Sequence, residues 1–281
     1  MHSYFTVERP GEAPYRIHYR EHGERDNPNV LFCVHGLTRN SRDFDFLADR
    51  LKQEYRLICA DVVGRGDSDW LENKQDYSYP RYVEDSLLLL KALALEKVDW
   101  LGTSMGGIMG MIVATLPGNP IRRLIMNDIG PFLPYAALLL IRDYVGRSVV
   151  FANEAEAARY IRGIHFGFGG LSDEQWTFLA RHSIRARETG GFELKYDPAI
   201  ATAFDNLEGD IDLWSYWQQV KQPVLLLRGR DSGIFTLETA QRMLEREAPT
   251  HLVEFSGSGH APMLMDDGQV GAVKDWLARS S

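Results

Sequence analysis

Short apolar runs, rich in β-branched and aliphatic residues, recur along the chain and are separated by polar, turn-forming stretches. Runs of this length bounded by turn residues are typical of buried strands. On this pattern the sequence predicts strands at Tyr15–Tyr19, Val30–Val34, Arg56–Asp61, Val98–Gly102, Leu124–Asn127, Val224–Leu227 and Leu252–Phe255.

Amphipathic segments lie between several of these strands, with the apolar spacing of a helix face. They predict helices at Tyr82–Leu95, Gly106–Leu116, Leu237–Glu247 and Gln269–Ala278. Strand–helix alternation favours an α/β fold, with a mostly parallel central sheet and helices on both faces. In such sheets ligands bind beyond the carboxyl ends of the strands, so functional residues are expected in the loops there.

The alternation stops between Pro131 and Gln222. This region is predicted to be almost wholly helical, with helices at Tyr135–Val145, Glu154–Ile164, Asp173–Ile184, Pro198–Phe204 and Ile211–Gln219. Because a strand follows from Val224, we interpret 131–222 as a helical cap inserted into a core made of 1–130 and 223–281. A second, independent helical domain is the alternative.

Composition narrows the classes of function. The 281 residues carry a net charge of −8 without any Lys/Arg block, so no nucleic-acid partner is expected. Cys33 and Cys59 lie within apolar runs, which favours buried, reduced thiols. The start of the chain lacks a signal-peptide pattern, and stretches such as 135–141 are too short to span a bilayer. We therefore expect a cytoplasmic protein with a small-molecule partner and no stable membrane insertion; the sequence leaves the oligomeric state open.

The most specific motif is G-x-S-x-G, which occurs as Gly102-Thr103-Ser104-Met105-Gly106. It follows a predicted strand and precedes a predicted helix, the context in which such a serine stands exposed on a sharp turn. The helix N-terminus behind the serine favours developing negative charge. Ser104 is therefore the candidate nucleophile, and an ordinary strand–helix turn is the alternative.

Two histidines stand beside a glycine just past a predicted strand. His35-Gly36 follows the strand at Val30–Val34, and the next backbone N–H, on Leu37, could join that of Met105 to hold an oxyanion. His35 itself suits support of this loop better than catalysis. His260, in G-S-G-H-A-P, lies after Ser104 in the chain, as a Ser…acid…His order requires, and is the candidate base.

Taken together, H-G-L-T at 35–38, D-V-V-G-R-G-D-S at 61–68, G-T-S-M-G-G at 102–107 and G-S-G-H-A-P at 257–262 resemble the α/β-hydrolase fold superfamily, in its esterase-like capped branch. N-D-I-G-P, Y-D-P-A-I-A and P-V-L-L-L-R-G are similar to that branch too, so the resemblance covers nearly the whole chain. It implies Ser104 as nucleophile, His260 as base and then acid, and the amides of Leu37 and Met105 as the oxyanion hole. It also implies that 131–222 is a lid over the active site.

The acid of the triad is left open between two aspartates. In the resembling family the acid usually lies three residues past a glycine after the penultimate core strand, and counting from Gly229 that position is Ser232. Asp231, one residue earlier, is the first choice. Asp128, at the end of the preceding strand, is its competitor, because some members of the superfamily take the acid from there.

Other chemistry lacks support in the sequence. No G-x-G-x-x-G follows the first strand and no P-loop lysine is present, so no nucleotide cofactor is expected. His18 and His22 have H-x-x-x-H spacing, but on a strand four residues span roughly 13 Å, too far to share one ion. With no H-E-x-x-H either, no metal is expected. Arg65-Gly66-Asp67 is interpreted as a structural turn rather than an adhesion tripeptide.

The sequence therefore predicts a serine hydrolase, foremost a carboxylesterase that cleaves small to medium hydrophobic esters through an acyl-enzyme. A lactonase or a carbon–carbon bond hydrolase with the same triad is the enzymatic alternative. A non-catalytic small-molecule receptor is the alternative of another class. Apolar residues of the cap are expected to form its core or to line an acyl pocket: Leu138, Leu139, Leu140, Ile141, Phe166, Phe168, Trp176 and Phe178.

Overall fold

A twisted eight-stranded sheet forms the centre of the protein in the computed structural model, which describes residues 2–279. Its strands are β1 (His2–Val7), β2 (Tyr15–His22), β3 (Val30–Val34), β4 (Arg56–Ala60), β5 (Val98–Thr103), β6 (Ile121–Asn127), β12 (Val224–Gly229) and β13 (Thr250–Phe255). Their spatial order is β1-β2-β4-β3-β5-β6-β12-β13. The β1–β2 and β2–β4 pairs are antiparallel and the other neighbouring pairs are parallel, so β2 alone runs against the other strands.

Helices cover both faces of this sheet, as the alternating pattern predicts. They are α1 (Asp45–Leu51), α2 (Tyr79–Ala92), α3 (Met105–Thr115), α8 (Leu237–Leu244) and α9 (Asp267–Arg279). The side chains of β3 divide between two buried clusters by the period-two rule: Val30, Phe32 and Val34 join one, and Leu31 and Cys33 join the other. A strand buried on both faces has an unbroken run of apolar residues. For this reason the predicted bounds of β3, Val30–Val34, agree with the structure.

Two elements of the core were not predicted. β1 is an edge strand on which mostly exposed and partly exposed residues alternate, so it lacks the apolar run that marks a central strand. α1 has seven residues, and its buried side is limited to Leu47, Ala48 and Leu51. Short amphipathic elements of this kind give too few periods for a pattern to stand out.

The inserted segment, residues 131–222, lies between β6 and β12 along the chain. It contains α4 (Tyr135–Arg142), α5 (Glu154–Ile164), α6 (Asp173–Ser183) and α7 (Trp214–Trp217), with 3₁₀ turns at Phe166–Phe168 and Pro198–Phe204. The prediction of an almost wholly helical region is wrong in one respect, since five short strands form a two-stranded and a three-stranded sheet. They are β7 (Phe132–Leu133), β8 (Val150–Phe151), β9 (Ile184–Ala186), β10 (Phe192–Leu194) and β11 (Ile211–Asp212).

Backbone hydrogen bonds join the inserted segment to the core. The Gly66 N–H donates to the Lys195 carbonyl at 2.9 Å, and the Asp197 N–H donates to the Gly64 carbonyl at 2.8 Å. On another side, the Gly259 N–H donates to the Gly167 carbonyl at 2.7 Å. These contacts hold the inserted segment against the core, and the division of the chain into a core and a cap stays a prediction.

Two further expectations bear on the environment of the protein. Cys33 and Cys59 are both buried and neither forms a disulfide. Within residues 2–279, each helix is too short or too polar to cross a lipid bilayer. The cytoplasmic location stays a prediction.

Trp100 ties β5 to the helix that follows it, and its replacement by Phe tests this part of the fold. The buried indole packs 4.8 Å from the ring of Phe32, and its Nε1–H donates to the Gly106 carbonyl at 3.0 Å. Trp100→Phe should lower the free energy of unfolding by about 2 kcal/mol, through lost volume and a lost hydrogen bond. Tyr216→Phe, on an exposed ring, should change it by less than about 0.5 kcal/mol. Urea denaturation measures both, and equal losses would contradict this role for Trp100.

Candidate active site

Ser104 occupies a strained turn between the end of β5 and the start of α3. Its backbone has φ 51° and ψ −114°, a conformation that costs energy in a residue with a Cβ. The turn is held because α3 approaches β3 very closely: a Cβ on Gly106 would lie 2.1 Å from the Val34 carbonyl oxygen. The Ser104 N–H also donates to the Asn127 carbonyl at 2.9 Å. The side chain is thereby presented at the carboxyl end of the parallel strands.

His260 lies between Ser104 and a carboxylate. Its Nε2 is 2.9 Å from Ser104 Oγ, and its Nδ1 is 2.8 Å from Oδ2 of Asp128. Because an ionised carboxylate only accepts hydrogen bonds, Nδ1 carries the proton and Nε2 is left to accept from the serine hydroxyl. The three side chains therefore form a chain of hydrogen bonds with the polarity that a serine nucleophile needs.

Asp128 is fully buried, and donors surround its carboxylate. Oδ1 accepts from the Gly229 N–H at 2.8 Å, and Oδ2 accepts from the Ser232 hydroxyl at 2.6 Å in addition to His260. A buried charge is tolerable only with such partners, so this carboxylate is well satisfied as an anion. Its backbone, like that of Ser104, has a positive φ of 55°.

The preference for Asp231 is therefore reversed by the geometry, which brings Asp128 to His260 instead. Asp231 is exposed; its backbone N–H donates to the Ser258 carbonyl, and no hydrogen bond joins it to His260 in the described chain. The side chain that points inward from this loop is Ser232, which is buried and hydrogen bonded to Asp128. Position 232, where an acid is expected, thus carries a serine hydroxyl that donates to Asp128, the acid after the neighbouring strand β6.

The loop after β3 brings Leu37 alongside Ser104. A Cβ on Gly36 would lie 3.7 Å from that of Ser104, and Leu37 lines the same cavity. The fully buried Arg65 joins the two predicted oxyanion-hole residues, because its Nε donates to the Leu37 carbonyl at 2.9 Å and its Nη2 lies 3.7 Å from the sulfur of Met105. The pairing of these two amides around an oxyanion stays a prediction.

His35 supports this loop and does not reach the nucleophile. Its Nδ1 donates to the Gly36 carbonyl at 2.7 Å, and its Nε2 accepts from the Val62 N–H at 3.0 Å. Burial lowers the pKa of its imidazole, which keeps the ring neutral and both bonds in place. The Arg65-Gly66-Asp67 tripeptide is not accessible as an adhesion motif, because the Arg65 side chain is fully buried.

A cavity of about 480 Å³ opens above Ser104 between the core and the inserted segment. This volume suits a small to medium organic ligand. Of the eight apolar residues singled out in the predicted cap, Leu140, Ile141, Phe166 and Phe168 line the cavity. Leu138 and Trp176 are buried in the large apolar cluster that the inserted segment shares with one face of the central sheet.

Several lining residues carry no sequence signal. Arg39, Tyr144 and His165 line the cavity, yet they come from separate elements and belong to no motif. Gly167 is a further example, since its carbonyl accepts from the N–H of Gly259, the residue before the candidate base. Packing of the inserted segment on the core brings Tyr144, His165 and Gly167 to the site, whereas Arg39 comes from the loop after β3.

A group with metal-ligand chemistry lies elsewhere. Ligand atoms of His2, His18 and Asp67 fall within 4.8 Å of one another. Arg20 lies 2.7 Å from Nε2 of His2, and Lys195 forms an ion pair with Asp67 at 2.6 Å. These two cations disfavour a further positive ion there, so we assign no metal to the cluster.

Substitution of the two aspartates assigns the acid. Asp128→Asn removes the acceptor that fixes the tautomer of His260, and kcat on a soluble ester should fall about 10³- to 10⁴-fold. Asp231→Asn alters an exposed side chain and should change kcat less than threefold. Circular dichroism verifies that both variants fold. A larger loss in Asp231→Asn than in Asp128→Asn would contradict the geometry.

Gly167 is the second point to test, because it seats the inserted segment against the candidate base. A Cβ at this position would lie 3.1 Å from the backbone N and 3.2 Å from the backbone O of His260. Gly167→Ala should therefore displace His260 by a few tenths of an ångström and lower kcat about three- to tenfold. Gly170→Ala is the matched control, since its Cβ would meet no atom within 4 Å. Equal kcat values for the two variants would show that this contact does not position His260.

Comparison with known proteins agrees with the fold and with the motifs. The model of the alpha/beta hydrolase family matches residues 30–272. The chain is 40% identical over 265 residues to the 3-hydroxybutyrate-oligomer hydrolase of Cupriavidus necator, covering 91% of this chain and 90% of that one.

Solved structures are similar over the whole length. An alpha/beta hydrolase from Novosphingobium aromaticivorans superposes with a TM-score of 0.89 at 32% identity, covering 99% of this chain and 98% of that one. A crystallised protein from Rickettsia typhi gives a TM-score of 0.94 at 35% identity, with full coverage of both chains. The chain belongs to the alpha/beta hydrolase family and is a hydrolase.

Proposed function

We propose that this protein is a serine carboxylesterase that cleaves small to medium hydrophobic esters, and that 3-hydroxybutyrate oligomers are a substrate class of first choice. The observation that carries the proposal is the unbroken chain of hydrogen bonds from Ser104 through His260 to Asp128 at the floor of a cavity. The inserted segment acts as the cap that encloses the substrate.

In the acylation step Ser104 Oγ attacks the ester carbonyl carbon while its proton passes to Nε2 of His260. The imidazolium that forms is stabilised by the buried carboxylate of Asp128, whose other donors hold it in place. The tetrahedral oxyanion accepts hydrogen bonds from the amides of Leu37 and Met105. When the carbon–oxygen bond breaks, the leaving alcohol takes the proton from His260.

Deacylation repeats these steps with water as the nucleophile. Water attacks the acyl carbon and gives a proton to Nε2 of His260. The bond between the acyl carbon and Ser104 Oγ then breaks, and His260 returns the proton to the serine oxygen. The products are a carboxylic acid and the free enzyme, with no cofactor consumed.

The size and lining of the cavity support the choice of substrate. Its wall is formed largely by aliphatic and aromatic side chains, which favours apolar acyl groups. The similar protein from Cupriavidus necator is named for hydrolysis of 3-hydroxybutyrate oligomers, which are linear esters of a short hydroxy acid. Short esters of that kind match both the apolar wall and the volume of about 480 Å³.

The remaining alternatives differ in the bond that is cleaved. A lactonase or a carbon–carbon bond hydrolase would use the same three side chains. A receptor without turnover would have no use for a serine aligned with an imidazole at 2.9 Å. Substrate preference therefore distinguishes an esterase from a lactonase or a carbon–carbon bond hydrolase. Turnover of any substrate distinguishes these enzymes from a receptor.

Hydrolysis of p-nitrophenyl esters tests the proposal. The wild type should cleave acetyl, butyryl and octanoyl esters, and Ser104→Ala should lower kcat at least 10³-fold because the nucleophile is lost. Ser215→Ala, on an exposed serine of the inserted segment, is the matched control and should retain full activity. Labelling by a fluorophosphonate, located by mass spectrometry, should fall on Ser104.

Two results would overturn this function. Absence of serine-dependent turnover on every acyl length would exclude an esterase. Faster cleavage of vinylogous diketones than of any ester would favour the carbon–carbon alternative instead.

A further inference from the structure

Polar side chains interrupt the apolar wall of the active-site cavity on the side of the inserted segment and the loop after β3. They are Thr38, Arg39, Asp43, Asp143, Tyr144, Arg147 and His165. Arg39, Tyr144 and His165, which we name the polar cluster, are grouped by ring contacts around His165 and Phe168. None of them takes part in the hydrogen bonds that join Ser104, His260 and Asp128. Their arrangement indicates which chemical group of a substrate they can bind.

His165, at the end of α5, is held firmly by aromatic rings. Its imidazole stacks on Phe168 at 4.5 Å with an interplanar angle of 5°, and it meets Tyr144 edge-on at 5.5 Å. Stacking on one face and an edge contact on another leave the ring little freedom to rotate. Its nitrogens therefore keep a fixed direction relative to the cavity.

The ring nitrogens of His165 have no hydrogen-bond partner among residues 2–279, although the residue is only 8% exposed and borders the cavity. Burial, together with the nearby Arg39 and His260, lowers the pKa of His165 well below its usual value, so the ring is neutral. A neutral imidazole offers one donor and one acceptor. The nitrogens of His165 are not among the unpartnered atoms sealed from solvent, so they are open to the cavity and a ligand there can bond to them.

Arg39 contributes donors but little net charge. Its Nε and Nη2 bind the two carboxylate oxygens of Asp43 at 3.0 and 2.6 Å, and its Nη1 donates to the Ser183 hydroxyl at 2.8 Å. Burial raises the pKa of Tyr144 to about 12, so its phenol stays protonated. Asp143 and Arg147, which also line the cavity, are exposed and of opposite sign. With Arg39 balanced by Asp43 and both rings neutral, the polar cluster suits an uncharged oxygen better than a carboxylate.

We propose that His165, assisted by Tyr144 and Arg39, binds an uncharged oxygen substituent of the substrate, either a hydroxyl or a carbonyl placed beyond the scissile ester. The inference rests on the proposed esterase function and specifies which acyl groups the enzyme prefers. Oxygen-bearing acyl esters such as those of 3-hydroxybutyrate would then be preferred over plain alkanoyl esters of equal length. A site built to hydrogen-bond such an oxygen discriminates against the analogue that lacks it, because its polar groups are left unpaired.

Three ethyl esters of equal carbon chain length test this selectivity. Ethyl butyrate carries no extra oxygen, ethyl 3-hydroxybutyrate carries a hydroxyl, and ethyl acetoacetate carries a carbonyl. For the wild type, kcat/KM should be about tenfold higher for at least one oxygen-bearing ester than for ethyl butyrate. The better of the two identifies whether the cluster binds the hydroxyl or the carbonyl.

Variants of His165 show whether this residue carries the preference. His165→Phe keeps the aromatic stacking but has no ring nitrogen. The tenfold preference should fall to about onefold, because kcat/KM falls more on the oxygen-bearing ester than on ethyl butyrate. His165→Gln, which restores a donor and an acceptor, should recover at least a threefold preference. His182→Phe is the matched control, because this histidine of α6 binds Arg42 and does not border the cavity.

The outcomes are separable from those of the proposed function. Absence of Ser104-dependent turnover of all three esters overturns the esterase function itself. Turnover without any preference in the wild type, or an equal loss on all three esters in His165→Phe, overturns the polar cluster as a substrate site and leaves the esterase function intact.

Discussion

The candidate site depends on one buried anion, the carboxylate of Asp128. Asp128 lies directly after β6, at the carboxyl end of the parallel strands, and has no exposure to water. Its charge must therefore be compensated entirely by the protein. The compensation comes from the Gly229 N–H, the Ser232 hydroxyl and the His260 ring, which belong to the end of β12 and to the loops after β12 and β13. This carboxylate, on the residue after β6, therefore links the ends of β12 and β13 and fixes the imidazole that faces Ser104.

A second constraint is steric and acts at the nucleophile. Ser104 keeps its positive φ because α3 packs directly against β3 and β5. This close packing requires glycine at positions 102 and 106, where a Cβ would clash with the neighbouring backbone. The strained turn and the buried carboxylate meet through His260, since each fixes one of its two ring nitrogens. The strain is thus balanced by packing of the central sheet rather than by interactions within the turn itself.

The sequence indicated the central sheet, the candidate nucleophile and the candidate base, and the reason is that those signals are local. β3, β5 and β12 are continuous apolar runs, Ser104 sits in a five-residue motif, and His260 follows a glycine-rich turn after a strand. The acid could not be chosen in this way. Asp128 and Asp231 both lie just past the end of a strand, and the direction of the Asp231 side chain in the loop after β12 decides between them. The short strands of the inserted segment, of two or three residues, are also below the length at which a pattern is visible.

The contacts of the inserted segment are the least visible in the sequence and the most informative about selectivity. His165 and Gly167 are two residues apart, yet one borders the cavity through its ring and the other binds the loop of His260 through its carbonyl. A ligand held by His165 therefore acts on the same short turn that seats the candidate base. Because Gly167 approaches the His260 backbone so closely, a shift of this turn would be transmitted to the imidazole without any intervening side chain. The proposed binding of substrate by His165 and the alignment of the candidate base therefore depend on one stretch of backbone.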